Sequence, residues 1–391
     1  MKRYPSETDE ILAMEKDTRK RTWAEIHLEN IRYNYRAIRK LLPKDCKFLG
    51  VVKADAYGHG ALPVSKLLQE EGADYLAVSC LDEALELREA GIDIPILILG
   101  HTPCKYTKSL IEHDITQTVT CLAKAQMYSE EASAIGRELS IHIALDTGMS
   151  RLGFLCAGNR EDQGVEHIAE SCKLPGLRPE GIFTHFAVSD EEGEENRAYT
   201  KAQFELFMHI IERLKDEHGI TFELKHCANT GAAVNYPEYA LDMVRPGLLL
   251  YGYGDEAKRF GLRTCMTLIS TITTIKHYEP GTDVSYGRHF TTQRRTRMGV
   301  LAIGYADGMP RAASGKCDFF VHDTFVPQVG NVCMDMCMVD LTDAPEARIG
   351  NEIEIFGEHA SVCDLAAAAG TISYELLCGV SKRVPRVYDG E

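Results

Sequence analysis

From residue 23 to about residue 251, short apolar runs alternate with longer stretches that repeat apolar residues at helical spacing. The runs predict buried strands at residues 48–52, 75–79, 94–99, 116–120, 140–145, 180–183, 222–226 and 241–245, and the longest predicted helix spans 194–219. Eight strands that alternate with helices predict a parallel (β/α)8 barrel. The alternative, a doubly wound sheet, would carry a glycine fingerprint after its first strand, where this chain has Lys-Ala-Asp-Ala.

The pattern changes after residue 260. Apolar runs at 267–275, 297–303, 319–329, 336–341 and 352–356 are separated by turn sequences, and only 362–369 and 374–378 have helical spacing. These runs predict a second, mainly antiparallel β domain. The chain of 391 residues is therefore expected to divide into an N-terminal extension (1–20), a barrel (21–258) and a β domain (259–391).

Composition and charge exclude several classes of function. With 45% hydrophobic residues, 26% charged residues and a net charge of −15, the chain is expected to be a soluble globular protein without a surface for nucleic acid or anionic membrane. No apolar window reaches membrane length and the first 21 residues lack a signal-peptide core, which predicts a cytoplasmic location. The thirteen cysteines are scattered and their spacing predicts reduced thiols rather than a metal site.

A lysine at the end of the first barrel strand is the first candidate for chemistry. Lys53 directly follows the apolar run 48–52. Desolvation there would lower the pKa of the amine and make it a nucleophile suited to Schiff-base chemistry. The alternative is a strand-end lysine that simply reaches solvent.

Further polar residues fall at the carboxyl ends of other predicted strands, where barrel active sites form. They are Tyr57 after the first strand, Arg151 after the fifth, His185 after the sixth, Asn229 and Thr230 after the seventh, and Arg245, Gly247 and Leu248 after the eighth. Each has a structural alternative, such as a helix N-cap at Asn229. The loops after strands seven and eight of barrels often bind phosphate, and a phosphate site with a strand-end lysine predicts pyridoxal 5′-phosphate.

The chain resembles the alanine racemases, fold-type III pyridoxal-phosphate enzymes, from about residue 21 to residue 388. The motifs that carry the resemblance occur in the family's order in both predicted domains: VVKADAYGHG, DTGMSRLGF, FTHFA, HCANT, DMVRPGLLLYG, VSYGRHF, IGYADG, VCMD and RVPR. The resemblance implies interconversion of L-alanine and D-alanine by a homodimer with shared active sites. It also implies that a strand at residues 22–27 joins the β domain.

The resemblance assigns roles residue by residue. Lys53 would carry the cofactor and act as one catalytic base, and Tyr286 of the partner subunit would be the other. Arg245 would face the pyridine nitrogen, where a guanidinium cannot give up a proton. The remaining cofactor contacts implied are Arg151 at the phenolic oxygen, His185 against the ring, and Tyr57 and Thr230 at the phosphate. From their place in the loops after strands seven and eight, Gly231, Gly247 and Leu248 are also expected at the phosphate, and Asn229 is expected among the cofactor-binding residues. On the substrate side, Arg151 and the partner's Met334 N–H would bind the carboxylate, and Tyr305 would narrow the entrance.

The chain departs from the family pattern at four positions. Ala144 stands where many members have a carbamylated lysine that braces the arginine at 151, and Lys382 replaces a tyrosine that commonly contacts the phosphate. Asn331 replaces a frequent arginine, and Met336 a frequent glutamine. The change at Lys382 leaves serine or broad-specificity racemisation open. A non-enzymatic pyridoxal-phosphate-binding homeostasis protein is the third hypothesis, but such proteins are single barrels without a counterpart of Tyr286.

Overall fold

The computed structural model describes residues 21–389, so the predicted extension at residues 1–20 lies outside the described part of the chain. The chain divides into two compact units. One, here called the barrel unit, comprises residues 32–56 and 61–250, and the other, called the β unit, comprises, of the described residues, 21–31, 57–60 and 251–389.

The secondary-structure elements are numbered in chain order. The strands are β1 Thr22–Ile26, β2 Lys47–Val51, β3 Tyr75–Val78, β4 Ile96–Ile98, β5 Ile115–Val119, β6 Leu139–Asp146, β7 Phe154–Leu155, β8 Leu177–Phe183, β9 Leu224–His226, β10 Met243–Val244, β11 Met266–Tyr278, β12 Asp283–Val284, β13 Phe290–Thr291, β14 Thr296–Leu301, β15 Asp318–Val321, β16 Thr324–Val329, β17 Cys337–Asp340, β18 Glu352–Phe356 and β19 Arg386–Tyr388. The helices are α1 Leu28–Leu41, α2 Ala61–Glu70, α3 Leu81–Glu89, α4 Thr107–Glu112, α5 Leu122–Ile135, α6 Glu161–Lys173, α7 Glu194–His218, α8 Thr230–Asn235, α9 Asp255–Arg259, α10 Val362–Ala369 and α11 Ser373–Gly379.

The barrel unit contains all eight predicted parallel strands. They pair in the order β10-β2-β3-β4-β5-β6-β8-β9, and the short β7 pairs with β6. Backbone hydrogen bonds from Asp242 to Lys225 (3.1 Å) and from Arg245 to Ala228 (2.9 Å) join the segments flanking β10 and β9, the two ends of this order. The (β/α)8 prediction is therefore confirmed, and the carboxyl ends of the strands meet at one face.

The β unit is built on one eight-stranded sheet, ordered β14-β17-β16-β15-β18-β11-β1-β19, with β14 also paired to β11. All of its pairs are antiparallel except β1 with β19. The resemblance correctly implied that the strand at residues 22–27 joins this sheet, because β1 pairs with β11 and β19. A separate ribbon of β12 and β13 holds a five-residue turn at 285–289.

One predicted strand of the β unit was wrong. The apolar run 319–329 is a hairpin of β15 and β16, which turns at His322 and Asp323. Both residues have positive φ, 44° and 59°, as a tight hairpin turn requires. Neither is the glycine or asparagine that usually marks such a turn, so the run was interpreted as continuous.

Among the described residues, no single helix is long and apolar enough to cross a membrane, and one sharply bent pair, α10 with α11, meets the length and composition criterion only when both helices are combined. All thirteen cysteines are free thiols.

Candidate active site

The segment that carries Lys53 has an unusual backbone. Ala54, Asp55, Ala56 and Tyr57 all have φ of 52–54°, so the chain makes a left-handed turn without glycine. Each non-glycine residue in this conformation costs about 1–2 kcal/mol. The Glu83 side chain holds the start of the turn by accepting from the Ala54 N–H (2.7 Å), and the Asp55 side chain accepts from the N–H of residue 61 (2.7 Å). The strain is therefore concentrated next to the candidate nucleophile, as is common at functional sites.

Lys53 lines a cavity of about 240 Å³ within the barrel unit. Arg151 and His185 line the same cavity, and Ala144 and Phe183 form part of its apolar wall. Lys53 is partly exposed, so its amine can meet a ligand there. The structure thus brings together three of the residues predicted from the sequence.

Arg245 is buried, with 4% of its surface exposed, and its guanidinium bonds to several groups of the barrel interior. Nη1 donates to Nδ1 of His226 (2.9 Å), and Nη2 donates to the carbonyl oxygens of Thr184 (2.8 Å) and Cys227 (3.2 Å). Nη2 also lies 3.4 Å from Nδ1 of His185. Burial lowers the pKa of Arg245, but an arginine pKa stays far enough above neutrality to keep the cation.

Two neutral histidines, His185 and His226, lie beside this cation, and a third, His142, bonds to His226. Burial, with help from the nearby charge of Arg245, lowers the pKa of His142 and of His185 to about 3. The same two causes hold the pKa of His226 well below its usual range. The site therefore concentrates permanent positive charge on Arg245 and offers it neutral imidazole acceptors.

The loop that carries Arg151 is shaped by its own side chains. Asp146 Oδ1 accepts from the N–H groups of Gly148 and Ser150, both at 3.0 Å. At Gly153, φ is 120° and an added Cβ would lie 2.7 Å from the Asp146 nitrogen, so only glycine fits. Arg151 itself is exposed and forms no ion pair or hydrogen bond with any residue in 21–389. Its guanidinium is available to a ligand in the cavity.

The start of α8 offers a set of N–H donors. Asn229 is its N-cap, since Oδ1 accepts from the Ala232 N–H (3.1 Å) and from Ser189 Oγ (2.6 Å). Thr230 Oγ1 accepts from the Gly247 N–H (2.9 Å), which ties the loops after β9 and β10 together. The N–H groups of Gly231 and Leu248 belong to buried residues and meet no acceptor in the described part of the chain. Buried donors without acceptors are uncommon, and they suit an anionic ligand such as a phosphate.

Tyr57, also predicted at the phosphate, lies in the β unit. It is buried there, with its ring 5.2 Å from that of Tyr251 and 5.9 Å from that of Tyr374. Burial raises the pKa of the Tyr57 hydroxyl, so the phenol stays protonated and remains a donor. Its role in phosphate binding stays a prediction.

Tyr286 lies at the tip of the β12–β13 ribbon, with 74% of its surface exposed. The turn is strained, because Ser285 and Arg288 have φ of 66° and 51°. Asn331 braces it: its side chain donates to the Tyr286 carbonyl (2.6 Å) and its own carbonyl accepts from Ser285 Oγ (2.8 Å). A tyrosine held outward on a braced turn is suited to act on something outside its own unit.

Comparisons with known proteins agree over nearly the whole chain. The family models "Alanine racemase, N-terminal domain" and "Alanine racemase, C-terminal domain" match residues 26–255 and 265–388. Alanine racemase 1 of Clostridium acetobutylicum is 42% identical over 374 residues, which is 94% of this chain and 95% of that protein. The chain belongs to the alanine racemase family.

Solved structures of alanine racemases show the same fold. The enzyme of Clostridium difficile 630 has 40% identity and a TM-score of 0.89, covering 96% of this chain and 98% of that chain. The Bacillus anthracis enzyme, solved with bound L-Ala-P, has 33% identity and a TM-score of 0.85, covering 95% of this chain and 96% of that one.

The departures from the alanine racemase pattern now have positions in the structure. Ala144 lines the Lys53 cavity, so a lysine there would project toward the same space as Arg151. Asn331 is the brace of the Tyr286 turn. Lys382 is exposed and forms no hydrogen bond or ion pair within residues 21–389, and Met336 is also exposed.

Sequence reasoning missed several polar residues that support the site. His142 and His226 sit inside apolar strands and were interpreted as strand positions, although a histidine inside a buried run is itself a signal of a polar partner. The sequence assigned no role to Glu83. Asp307 belongs to the turn sequence Ala-Asp-Gly, which predicts a turn and gives no sign of a buried carboxylate.

Proposed function

We propose that the protein interconverts L-alanine and D-alanine, with pyridoxal 5′-phosphate held in the barrel unit by Lys53. The observation that carries the proposal is the shared cavity of Lys53, Arg151 and His185, with the buried cation of Arg245 bonded beside it. Family membership over nearly the full chain supports the choice of reaction. When bound, the cofactor supplies an aldehyde for the amino group and a conjugated ring that accepts electron density from the substrate Cα.

The residues present fit this cofactor. The unsatisfied N–H groups of Gly231 and Leu248, with the hydroxyl of Thr230, form a donor set for its phosphate. In this arrangement Asn229 and Gly247 act indirectly, since Asn229 caps the helix and the Gly247 N–H bonds to Thr230. His185 is neutral and lines the cavity, so it can lie against an aromatic ring without adding charge.

Arg245 would set how strongly the ring of a bound cofactor can withdraw electrons. A guanidinium only donates hydrogen bonds, so Arg245 can bond the ring nitrogen without giving it a proton. The neutral histidines around it offer no acidic proton either. We infer that this arrangement would limit charge delocalisation into the ring of a bound cofactor and so restrain side reactions such as transamination.

Racemisation requires proton transfer on both faces of the Cα. Lys53 serves one face, and Tyr286 of the partner subunit serves the other, in a homodimer that places two equivalent sites across its interface. Arg151 and the N–H of the partner's Met334 hold the substrate carboxylate, and Tyr305 restricts the entrance. The exposed, braced position of Tyr286 supports this assignment.

Racemisation assays on the purified protein with added cofactor test the reaction. We expect turnover of L-alanine to exceed that of L-serine, and borohydride reduction should fix the cofactor on Lys53 in a peptide map. A label on another lysine, or faster turnover of L-serine, would overturn the corresponding part of the proposal. The homeostasis alternative predicts cofactor binding without any racemisation, and the C-terminal racemase domain at 265–388 argues against it.

A further inference from the structure

Asp307 is a fully buried carboxylate in the β unit, and four donors converge on it. Oδ1 accepts from Arg21 Nη1 (2.6 Å) and Arg383 Nε (2.7 Å). Oδ2 accepts from Arg21 Nη2 (3.0 Å) and from the N–H of Gly304 (2.9 Å). Its side chain has no exposed surface, whereas the two arginines are 44% and 42% exposed. The buried charge is thus fully bonded, which is the condition under which a buried carboxylate is tolerated.

The same two arginines reach the segment that contains Met334. Arg383 Nη2 donates to Asp335 Oδ1 (2.7 Å), and Arg21 Nη2 donates to the Asp335 carbonyl (2.8 Å). Asp307, Arg21, Arg383 and Asp335 therefore form a cluster of two carboxylates and two guanidiniums, here called the Asp307 clamp. The clamp joins the turn at 304–307 to the loop at 333–335.

Backbone contacts connect the same two segments. The N–H of Tyr305 donates to the Cys333 carbonyl (3.0 Å), and the N–H of Ala306 donates to the Met334 carbonyl (3.0 Å). At Gly304 an added Cβ would lie 2.3 Å from both of these carbonyl oxygens, so the segments approach as closely as glycine permits. The clamp and these backbone contacts together hold the turn at 304–307 against the loop at 333–335.

The hydrogen bond from the Tyr305 N–H to the Cys333 carbonyl sets the direction of the Met334 N–H. In a trans peptide the C=O and the following N–H point in opposite directions. Because the Cys333 carbonyl points at Tyr305, the Met334 N–H points away from the turn at 304–307. It meets no acceptor in the part of the chain that the structure describes, and Met334 is 54% exposed. A free, outward N–H is left to bind an anion.

We propose that Asp307 is a positioning residue for the substrate carboxylate, because it holds the turn that orients the Met334 N–H and carries Tyr305. This inference rests on the proposed function, in which the partner's Met334 N–H binds that carboxylate. Burial alone would raise the pKa of Asp307, but the hydrogen bonds from Arg21 and Arg383 outweigh it and hold the pKa below its usual range. The two arginines therefore favour the carboxylate form of Asp307 that they bind.

The test compares Asp307→Asn with wild type in steady-state racemisation of alanine. Asparagine keeps the shape but loses the charge that holds both arginines. We expect KM for alanine to rise about tenfold with kcat changed less than about threefold, since a contact made equally in ground state and transition state affects KM alone. The exposed ion pair of Arg294 with Asp343 in the same unit provides the control, and Asp343→Asn should leave both constants unchanged.

Two probes separate positioning from a general structural role. The inhibition constant of propionate, which carries the carboxylate, should rise with KM, whereas that of ethylamine, which lacks it, should stay within about twofold. Equal inhibition constants for propionate in folded Asp307→Asn and wild type would overturn the inference while leaving the racemase proposal intact. Absence of propionate inhibition in wild type would instead contradict the proposed carboxylate site. Should Asp307→Asn fail to fold, Arg383→Gln cuts only one arm of the clamp and must shift KM and the propionate constant in the same direction; unchanged values would overturn the inference.

Discussion

Arg245 donates through Nη1 to Nδ1 of His226, 2.9 Å away, and this bond assigns the protons of two histidines. Because arginine has no acceptor, Nδ1 of His226 must accept, and its proton lies on Nε2. Nε2 of His226 is 2.9 Å from Nδ1 of His142, so His142 accepts in turn and keeps its own proton on Nε2. A chain of neutral imidazoles therefore holds the guanidinium in place from inside the barrel.

The first prediction concerns that chain. His226→Leu removes the acceptor of Arg245, so the guanidinium loses one bond in a buried site, and we expect kcat to fall about tenfold or more. His226→Asn is the matched control, because its side-chain oxygen can replace Nδ1 and should retain most of the activity. Alanine racemisation rates of the two folded variants decide the point. Equal rates would mean that the bond does not position Arg245.

A second prediction concerns pH and stability. The folded pKa of His142, about 3, lies below the ordinary value of about 6.5 in the unfolded chain. As pH falls below about 6.5 the unfolded state binds the proton first, so stability is lost at up to about 1.4 kcal/mol per pH unit from this histidine. The thermal midpoint of wild type should therefore fall more steeply from pH 7.5 to 5 than that of His142→Asn.

The control for this pH experiment is His359, a histidine whose pKa is shifted in the opposite direction. The hydrogen bond to Glu354 raises the pKa of the exposed His359, so its stabilising effect is present at low pH and is lost as pH rises through that pKa. His359→Asn should therefore not flatten the fall of the midpoint below pH 6.5. If His142→Asn and wild type lose stability in parallel, His142 is not buried as a neutral group.

A third prediction addresses the left-handed turn after Lys53. Glu83 accepts from the N–H groups of Ala54 and Ser79, both at 2.7 Å, and so holds a strained backbone that would otherwise relax. Glu83→Ala should speed dissociation of the cofactor about tenfold or more, since charged hydrogen bonds contribute roughly 1.5–3 kcal/mol. Glu86→Ala, on the exposed face of the same helix, should leave it unchanged. Dialysis followed by cofactor absorbance measures the difference.

A fourth prediction tests the shared site. Homodimers of Lys53→Ala and of Tyr286→Phe should each be nearly inactive. In a mixed dimer one site combines both lesions and the other has neither, so co-expression, which makes about half the dimers mixed, should restore about a quarter of wild-type activity. Isolated mixed dimers that stay as inactive as their parents would show that Tyr286 does not act across the interface.

A fifth prediction concerns Lys382 and substrate scope. Lys382 is exposed and forms no hydrogen bond or ion pair within residues 21–389 that replacement would remove. If it lines the substrate pocket of the assembled enzyme, Lys382→Tyr should change the ratio of alanine to serine turnover. An unaltered ratio in a folded variant would exclude Lys382 as the source of any unusual specificity.

The sequence predicted the architecture well because buried strands and amphipathic helices leave a periodic signal. The eight barrel strands and α7 are present where the apolar pattern predicted them. The hairpin at His322 was missed because its turn depends on positive φ in residues that rarely adopt it. The turn at Ala54 was missed for the same reason: nothing in Ala-Asp-Ala-Tyr indicates a left-handed backbone.

The candidate site was predictable only in part. Residues at strand ends, such as Lys53 and Arg151, were found because the fold rule gives those positions meaning. His226 and Asp307 support the site through bonds that join distant parts of the chain, His226 to Arg245 and Asp307 to Arg21 and Arg383. No local pattern encodes such partners, so only the folded structure could reveal them.

The position of β1 has a consequence for how the chain is made. β1 pairs with β11 and with β19, whose residue Arg386 lies opposite Ala24. All of the barrel strands are synthesised between β1 and these partners. During translation the edges of β1 therefore have no partner strand while the barrel strands are made. The sheet of the β unit is complete only after β19 has left the ribosome. A chain stalled before β19 would expose that edge to aggregation, whereas its barrel strands would already be complete.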